Sequence, residues 1–259
     1  MNIFVVGATG SIGRLVVESA IRMGHHVKAL VRNNPNARML PPETELIYGD
    51  VSYPETLAGM NFNVDAVIFT LGSNGQGRIG ARAIDYGGVR NVLRILKNKT
   101  VDIVLMTTIG VTDREGNYNR QTEAHDWKRR AERLVRASGH PYTIVRPGWF
   151  DYNKPDEHKI TMFQGDRRHS GTPADGAISR DQIARVLISS AMNKSAQYKT
   201  FELVAEKGSE QPDLTPVYEQ LIPDSHNKLD ALLDMNNMPL ENEPECFFDD
   251  LDEISGKKY

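Results

Sequence analysis

Ten residues near the start, VVGATGSIGR (5–14), constrain the fold more than any other part of the chain. Gly7, Gly10 and Gly13 recur at every third position. They follow an apolar run at Asn2–Val6 that reads as a buried strand. They open a stretch, Ser11–Met23, whose Ile12, Leu15, Val16, Ala20 and Met23 fall on one helical side. A strand that turns at once into a helix needs backbone freedom at the turn and close packing just after it. Gly7 permits the turn, Gly10 lets the backbone approach a pyrophosphate, and Gly13 lets the helix lie close to the sheet. With Thr9 in the same loop, the amides of Ser11 and Ile12 open the helix and point at the phosphate. A tight turn that binds nothing is the alternative.

The rest of the chain repeats the strand–helix rhythm. Strands are expected at His26–Val31, Glu45–Tyr48, Asp65–Thr70, Asp102–Thr107, Tyr142–Val145 and Phe201–Val204, and helices at Ile79–Leu96, Thr122–Ser138 and Arg180–Met192. Near-continuous apolar strands separated by helices predict an α/β fold, a Rossmann-like doubly wound parallel sheet covered on both faces. Two regions break the rhythm. Residues 151–178 are polar and rich in proline and glycine, and a loop of that length is expected to shape a pocket. From Gly208 the chain is punctuated by prolines and ends acidic. The expected division is therefore a nucleotide-binding domain over 1–207 and a small helical and loop appendage over 208–259. Thr215–Leu221 and Lys228–Leu233 read as short helices. The tail is either a peripheral, frayed appendage or, through Phe247, Phe248, Leu251 and Ile254, a segment that docks on a partner subunit.

Composition excludes several classes. With 31 basic and 34 acidic residues the net charge is -3, which gives no global drive toward nucleic acid or an anionic membrane. The single cysteine, Cys246, precludes an intrachain disulfide and fits a reducing compartment. No apolar run approaches a bilayer span, and a strand starting at Asn2 leaves no room for a signal peptide. A cytoplasmic protein with no membrane association and no metal site is expected.

The residues after successive strands suit a dinucleotide. An acid about 20 residues past the glycine loop would favour NAD by binding a ribose hydroxyl. Arg32 and Asn33 stand there instead, with Arg14 just past the loop. A guanidinium suits a 2′-phosphate, so NADP is expected over NAD; a solvated strand-end charge is the alternative. After the third strand, Asp50 is placed to accept from the adenine amino group and Val51 to pack on the ring. Small residues after the fourth strand, including Thr70, Leu71 and Gly72, mark the ribose.

The stretches GATGSIGRLVV, ALVRN, GDV, YGGVRNVL, IVLMTTIGV and YTIVRPGWF, in that order over residues 1 to 205, resemble the short-chain dehydrogenase/reductase superfamily, and more closely its atypical NmrA-like branch. The resemblance implies strand order 3-2-1-4-5-6-7 and a bound NADP. It places the nicotinamide near Thr107, Thr108 and the Pro147–Gly148 turn, with Trp149 next to it. In that family the helix after the fifth strand carries a tyrosine, the general acid, and four residues on a lysine that holds the nicotinamide ribose. Lys128 matches the lysine, at the edge of a stripe formed by Ala124, Trp127, Ala131, Leu134, Val135 and Ser138. Ala124 occupies the tyrosine position and has no proton to give. Arg129, Arg130, Arg133 and Arg136 fall mainly on the other side, as a solvated face. Thr108 is the favoured hydroxyl of the catalytic set, with a packed strand-end threonine as its alternative; Tyr118, Tyr152 and His125 are the candidate replacement acids.

Two functions fit. The first is NADPH-dependent hydride transfer to a small-molecule acceptor that needs little enzymic acid, such as a quinone or flavin. The second is a non-catalytic sensor of NADP redox state that regulates a protein partner. An epimerase acting on a nucleotide sugar fits less well, because it too relies on the tyrosine.

Overall fold

The computed structural model describes residues 1–32, 35–60, 63–97 and 99–259. Strands β1 (Asn2–Val6), β2 (His26–Val31), β3 (Glu45–Tyr48), β4 (Ala66–Phe69), β5 (Asp102–Met106) and β6 (Tyr142–Pro147) are joined by β10 (Lys199–Glu206) in one sheet. Its order is β3-β2-β1-β4-β5-β6-β10-β8, all parallel except the edge strand β8 (Lys159–Phe163), which runs antiparallel to β10. The order over the first seven strands is the one the resemblance implies. The eighth comes from within residues 151–178. β7 (Trp149–Phe150), just before that segment, pairs with β9 (Ala177–Ile178) at its far end, so the expected loop is a built structure.

The central strands are apolar on both sides because helices cover both faces. Ile3 and Val5 of β1 pack with α1 (Ser11–Arg22), α6 (Arg180–Met192) and α7 (Thr215–Glu219). Phe4 and Val6, pointing the other way, pack with α3 (Gly87–Leu96), α5 (Ala124–Ala137) and α8 (Glu245–Ser255). The expected helix at 79–96 begins earlier and changes character. α2 (Gly77–Gly80) passes into a π-helical turn, Ala81–Tyr86, and then into α3. Such turns re-aim side chains and occur often at functional sites. The helix expected at 122–138 is split. α4 (Asn117–Thr122) stops at Glu123, whose φ is +54°, and α5 starts immediately after it. Asn119 makes the break tolerable, accepting hydrogen bonds from the His125 and Asp126 amides at 2.9 and 3.2 Å.

The C-terminal region departs most from expectation. Residues 228–233 form no helix. Phe247, Leu251 and Ile254 are buried on their own chain, between α3 and α5, and are not available to a partner subunit. The four arginines of α5 are not solvated. Arg129, Arg133 and Arg136 have side chains no more than 1% exposed. Arg129 and Arg133 share Asp230, at 3.0 and 2.7 Å; Arg133 and Arg130 share Glu243; Arg136 meets Asp224 at 3.3 Å and Glu132 at 3.4 Å. A buried guanidinium is tolerable only when paired and hydrogen-bonded. Here all the partners but Glu132 arrive from residues 224–243, which wrap over α5.

Candidate nucleotide site and adjoining cavity

The C-terminal ends of β1 to β5 open into a cavity of about 420 Å³. This is where open α/β sheets bind ligands. Gly7 has φ +92°, and a Cβ there would sit 2.8 Å from the Thr70 carbonyl oxygen. At Gly13 a Cβ would lie 2.2 Å from the Gly7 oxygen, so the helix can lie against the turn only because that side chain is absent. Gly10 differs: the nearest protein atom to its Cβ would be 3.2 Å away, and the residue faces the cavity. No side chain caps α1 and no acid stands in its first turn. The opening amides of a helix have no intrahelical acceptor, and the helix dipole adds positive potential there. The charge, the open backbone at Gly10 and the size of the cavity fit a pyrophosphate and its nucleosides.

Most of the expected site residues converge here. Gly7, Thr9, Gly10, Ser11, Ile12, Arg32, Asp50, Val51, Thr70, Leu71, Gly72, Thr107, Thr108 and Lys128 all line the cavity. Asn33 lies outside the described residues, and Arg14 turns away to the Met39 sulfur at 3.5 Å. Arg32 is 65% exposed at its side chain and 4.0 Å from Asp50, so its guanidinium is open to the cavity. Asp50 is itself oriented by the Ser52 amide at 2.9 Å. Sequence reasoning missed Asn36, Gln76 and Phe150, which also line the cavity. It missed Asp85 as well. This carboxylate, 1% exposed, is delivered by the π-helical turn to within 2.8 Å of the Lys128 Nζ, and it also accepts from the Ser73 hydroxyl and amide at 2.8 and 3.1 Å. The YGGVRNVL stretch adjoins it, but no spacing rule links residues 85 and 128.

The two threonines after β5 differ. The Thr107 hydroxyl donates to Glu132 at 2.8 Å. Glu132, fully buried, also receives Arg146 at 2.7 Å, and Arg146 in turn reaches Glu202 and Asp234. Thr107 is thus committed to the ion network beneath the site. Thr108, half-buried, donates only to the Ile109 carbonyl at 3.2 Å and lies at a junction. It and Phe150 line both the first cavity and a second one of about 480 Å³. The second cavity also brings together Tyr118, His125 and Tyr152, the three candidate acids, with Gly148 and Trp149. Pro147 lines neither cavity. Nor does Ala124, which is 1% exposed and packed in the core beside Trp127.

The electrostatics of the second cavity limit its acid chemistry. Burial holds His125 below the ordinary histidine range, and its Nδ1 lies 3.3 Å from the Asp113 carbonyl. The neutral ring donates from Nδ1 and leaves Nε2 as an acceptor, so it has no proton for a substrate. Tyr118 stacks near His125, 5.3 Å between ring centroids; burial, with the Asp85 charge behind it, raises its phenol, which stays protonated. On the opposite side Asp166 is fully buried. Burial opposes its charge, but His169, Arg146 and the Thr112 and Gly110 amides outweigh that and hold it at about 2. Its carboxylate accepts from those amides at 2.7 and 2.6 Å, which ties the 166–169 turn to the loop after β5. Among the described residues, no cluster of histidine, cysteine and acidic side chains could hold a metal ion, and no helix is long and apolar enough to cross a membrane.

Fold and site together define a dinucleotide-binding α/β protein with a second cavity that meets the first at Thr108 and Phe150. Residues 7–194 match the NAD(P)H-binding family, and the chain belongs to it. It is 25% identical over 252 residues to the photosystem II assembly factor Ycf39 of Cyanophora paradoxa, covering 96% of this chain and 77% of that one. It is 28% identical over 208 residues to the uncharacterized sugar epimerase YhfK of Bacillus subtilis, covering 78% and 94%. Among solved structures, the oxidoreductase ylbE of Lactococcus lactis superposes with a TM-score of 0.66 at 18% identity, over 85% of this chain and 95% of that one. At that identity the likeness is one of fold.

Proposed function

We propose that the chain is an NADPH-dependent reductase of the NmrA-like kind that passes a hydride to a quinone- or flavin-like acceptor. The observation that carries this reading is the meeting of the two cavities at Thr108 and Phe150. A planar acceptor in the second cavity would lie against the nicotinamide end of the first, walled by Trp149, Phe150 and Tyr152. When bound, the reduced nicotinamide supplies a hydride; a quinone that takes it up gains one further proton from solvent and leaves as the hydroquinone. In this reading the first-turn amides of α1 bind the pyrophosphate, Arg32 the 2′-phosphate, Asp50 the adenine amino group, and Lys128 the ribose with the donors that Asp85 leaves unused. Thr108 orients the acceptor oxygen. The neutral, proton-poor His125 and the missing tyrosine favour acceptors that need no enzymic acid. Residues 1–207 form the nucleotide-binding unit and 208–259 the appendage that clamps α5. The lone cysteine favours a cytoplasmic setting.

The second reading is a sensor of NADP redox state that acts on a protein partner. It is favoured by Ala124, buried and without a hydroxyl, and by the relative named as an assembly factor. A panel of acceptors separates the two, with loss of reduced-nicotinamide absorbance as the readout. The reductase reading expects turnover with menadione or free flavin and background rates with simple ketones. Tight NADPH binding with no turnover on any acceptor supports the sensor.

A further inference from the structure

The walls of the second cavity carry three cationic side chains, and their partners differ. Arg180 is ion-paired to Asp151 and donates to the Ser11 hydroxyl at 3.3 Å. His169 lies 3.6 Å from the buried Asp166, whose hydrogen bond and charge raise its basicity. Arg168 has no carboxylate within ion-pair distance among the described residues. Its guanidinium stacks 4.1 Å above the Phe163 ring and gives one hydrogen bond, to the Asp175 carbonyl at 3.3 Å. The remaining donors of the fork are uncommitted.

The two acids of the cavity do not answer this charge. Asp175 is used by the Ser170, Gly171 and Thr172 amides in a local cap. Asp113 accepts from the Gly116 amide at 3.0 Å. The turn that carries Arg168 is held in place by Asp166, so the guanidinium is stationed on a fixed support. Trp149 and Tyr152 line the same cavity, 37% and 63% exposed and set edge to face at 6.0 Å between centroids. Large aromatic side chains left open to solvent in a cavity mark a surface that takes a ligand.

We propose that the second cavity binds a planar aromatic acceptor bearing a carboxylate, with Arg168 as the carboxylate's partner, His169 beside it, and Trp149 and Tyr152 as the wall for the ring. This rests on the reading of that cavity as the acceptor site and narrows the acceptor's class. A guanidinium already stacked and oriented loses little freedom on taking a carboxylate and binds it through two parallel hydrogen bonds.

The test is a binding measurement that needs no turnover. The NADP-saturated protein is titrated by calorimetry with naphthoate and, separately, with naphthamide, which has the same ring and no charge. The expected result is naphthoate bound roughly tenfold to a hundredfold more tightly. Arg168→Gln abolishes the difference while leaving naphthamide affinity in place, and Arg168→Lys restores part of it. Equal affinities for the two probes in the wild type, or a preference that survives Arg168→Gln, overturns the proposal. Menadione reduction, measured in parallel, keeps the two readings apart. Turnover without a carboxylate preference removes this proposal and leaves the reductase. A carboxylate preference without turnover keeps the anion site and removes the reductase.

Discussion

Replacing Asp230 by alanine isolates the contribution of the buried ion network to the fold. Asp230 accepts from the Arg129 Nε at 3.0 Å and from the Arg133 Nε and Nη2 at 2.9 and 2.7 Å. Burial would raise its pKa, but the hydrogen bonds and charges of Arg133 and Arg129 outweigh burial and lower it from 3.8 to about 2. Each whole step in pKa is worth about 1.4 kcal/mol, so the carboxylate contributes about 2.5 kcal/mol at neutral pH. Removing one partner of a buried pair costs about 3–5 kcal/mol; Asp230 retains 28% side-chain exposure, which places it at the lower end. Both routes converge on about 2.5–3 kcal/mol, or a fall in Tm of about 5–10 °C for a chain of this size. Because the folded pKa is depressed, this stability is present above the unfolded pKa and fades as pH falls from about 4 toward about 2. The assay is urea unfolding at pH 7 followed by tryptophan fluorescence, repeated at pH 3. A loss below about 1 kcal/mol at pH 7 would refute the idea that these arginines depend on residues 224–243. So would an equal loss at both pH values. The double variant Arg133→Met, Asp230→Leu should lose less than the two single changes added together, because Arg133 and Asp230 leave together and neither faces the other's absence, although Arg129 still loses its carboxylate.

Four further outcomes follow from the same geometry. Gly10→Val should stay folded at some cost in stability, because a Cβ there meets the Gly7 carbonyl oxygen at 3.2 Å, yet lose nucleotide affinity by calorimetry; unfolding would make the turn purely structural. Ala124→Tyr should not restore the family's acid: the position is 1% exposed, and overpacking should cost about 1–3 kcal/mol in thermal unfolding. Lys128→Ala should slow menadione reduction but also destabilise the fold, by up to about 3–5 kcal/mol, because Asp85 is left buried without its cation; pairing it with Asp85→Asn should recover much of the stability and none of the rate. Burial pushes Glu202 from 4.5 up to about 7, against the pull of Arg146. That contribution is full below about 4.5 and lost as pH rises through about 7, so Glu202→Gln should gain stability relative to wild type at pH 8 and not at pH 5 in paired melts.

The sheet and the nucleotide end were legible because their signals are local. The glycine triplet, the residue after each strand and the two-faced apolar pattern each lie within a window that one element spans. What escaped lies between elements. The arginines of α5 read as a solvated face because an unpaired guanidinium belongs in water. Their carboxylates, Asp224, Asp230 and Glu243, arrive 88, 97 and 110 residues downstream of Arg136 and Arg133. Asp85 escaped for the same reason, and also because a π-helical turn shifts the helical register that would have been used to place it. Tyr118, His125 and Tyr152 were separately plausible as acids; only the fold showed that they share one cavity with Thr108.

In the proposed reaction a hydride passes between the two cavities where they meet at Thr108. It is tested most directly in a single turnover. Protein saturated with NADPH is mixed rapidly with menadione, and the loss of reduced-nicotinamide absorbance is followed with unlabelled cofactor and with cofactor carrying deuterium at one or the other C4 position. The expected result is decay well above the protein-free rate, slowed by deuterium at only one of the two positions. Saturating NADPH binding with no decay beyond the protein-free rate would contradict it.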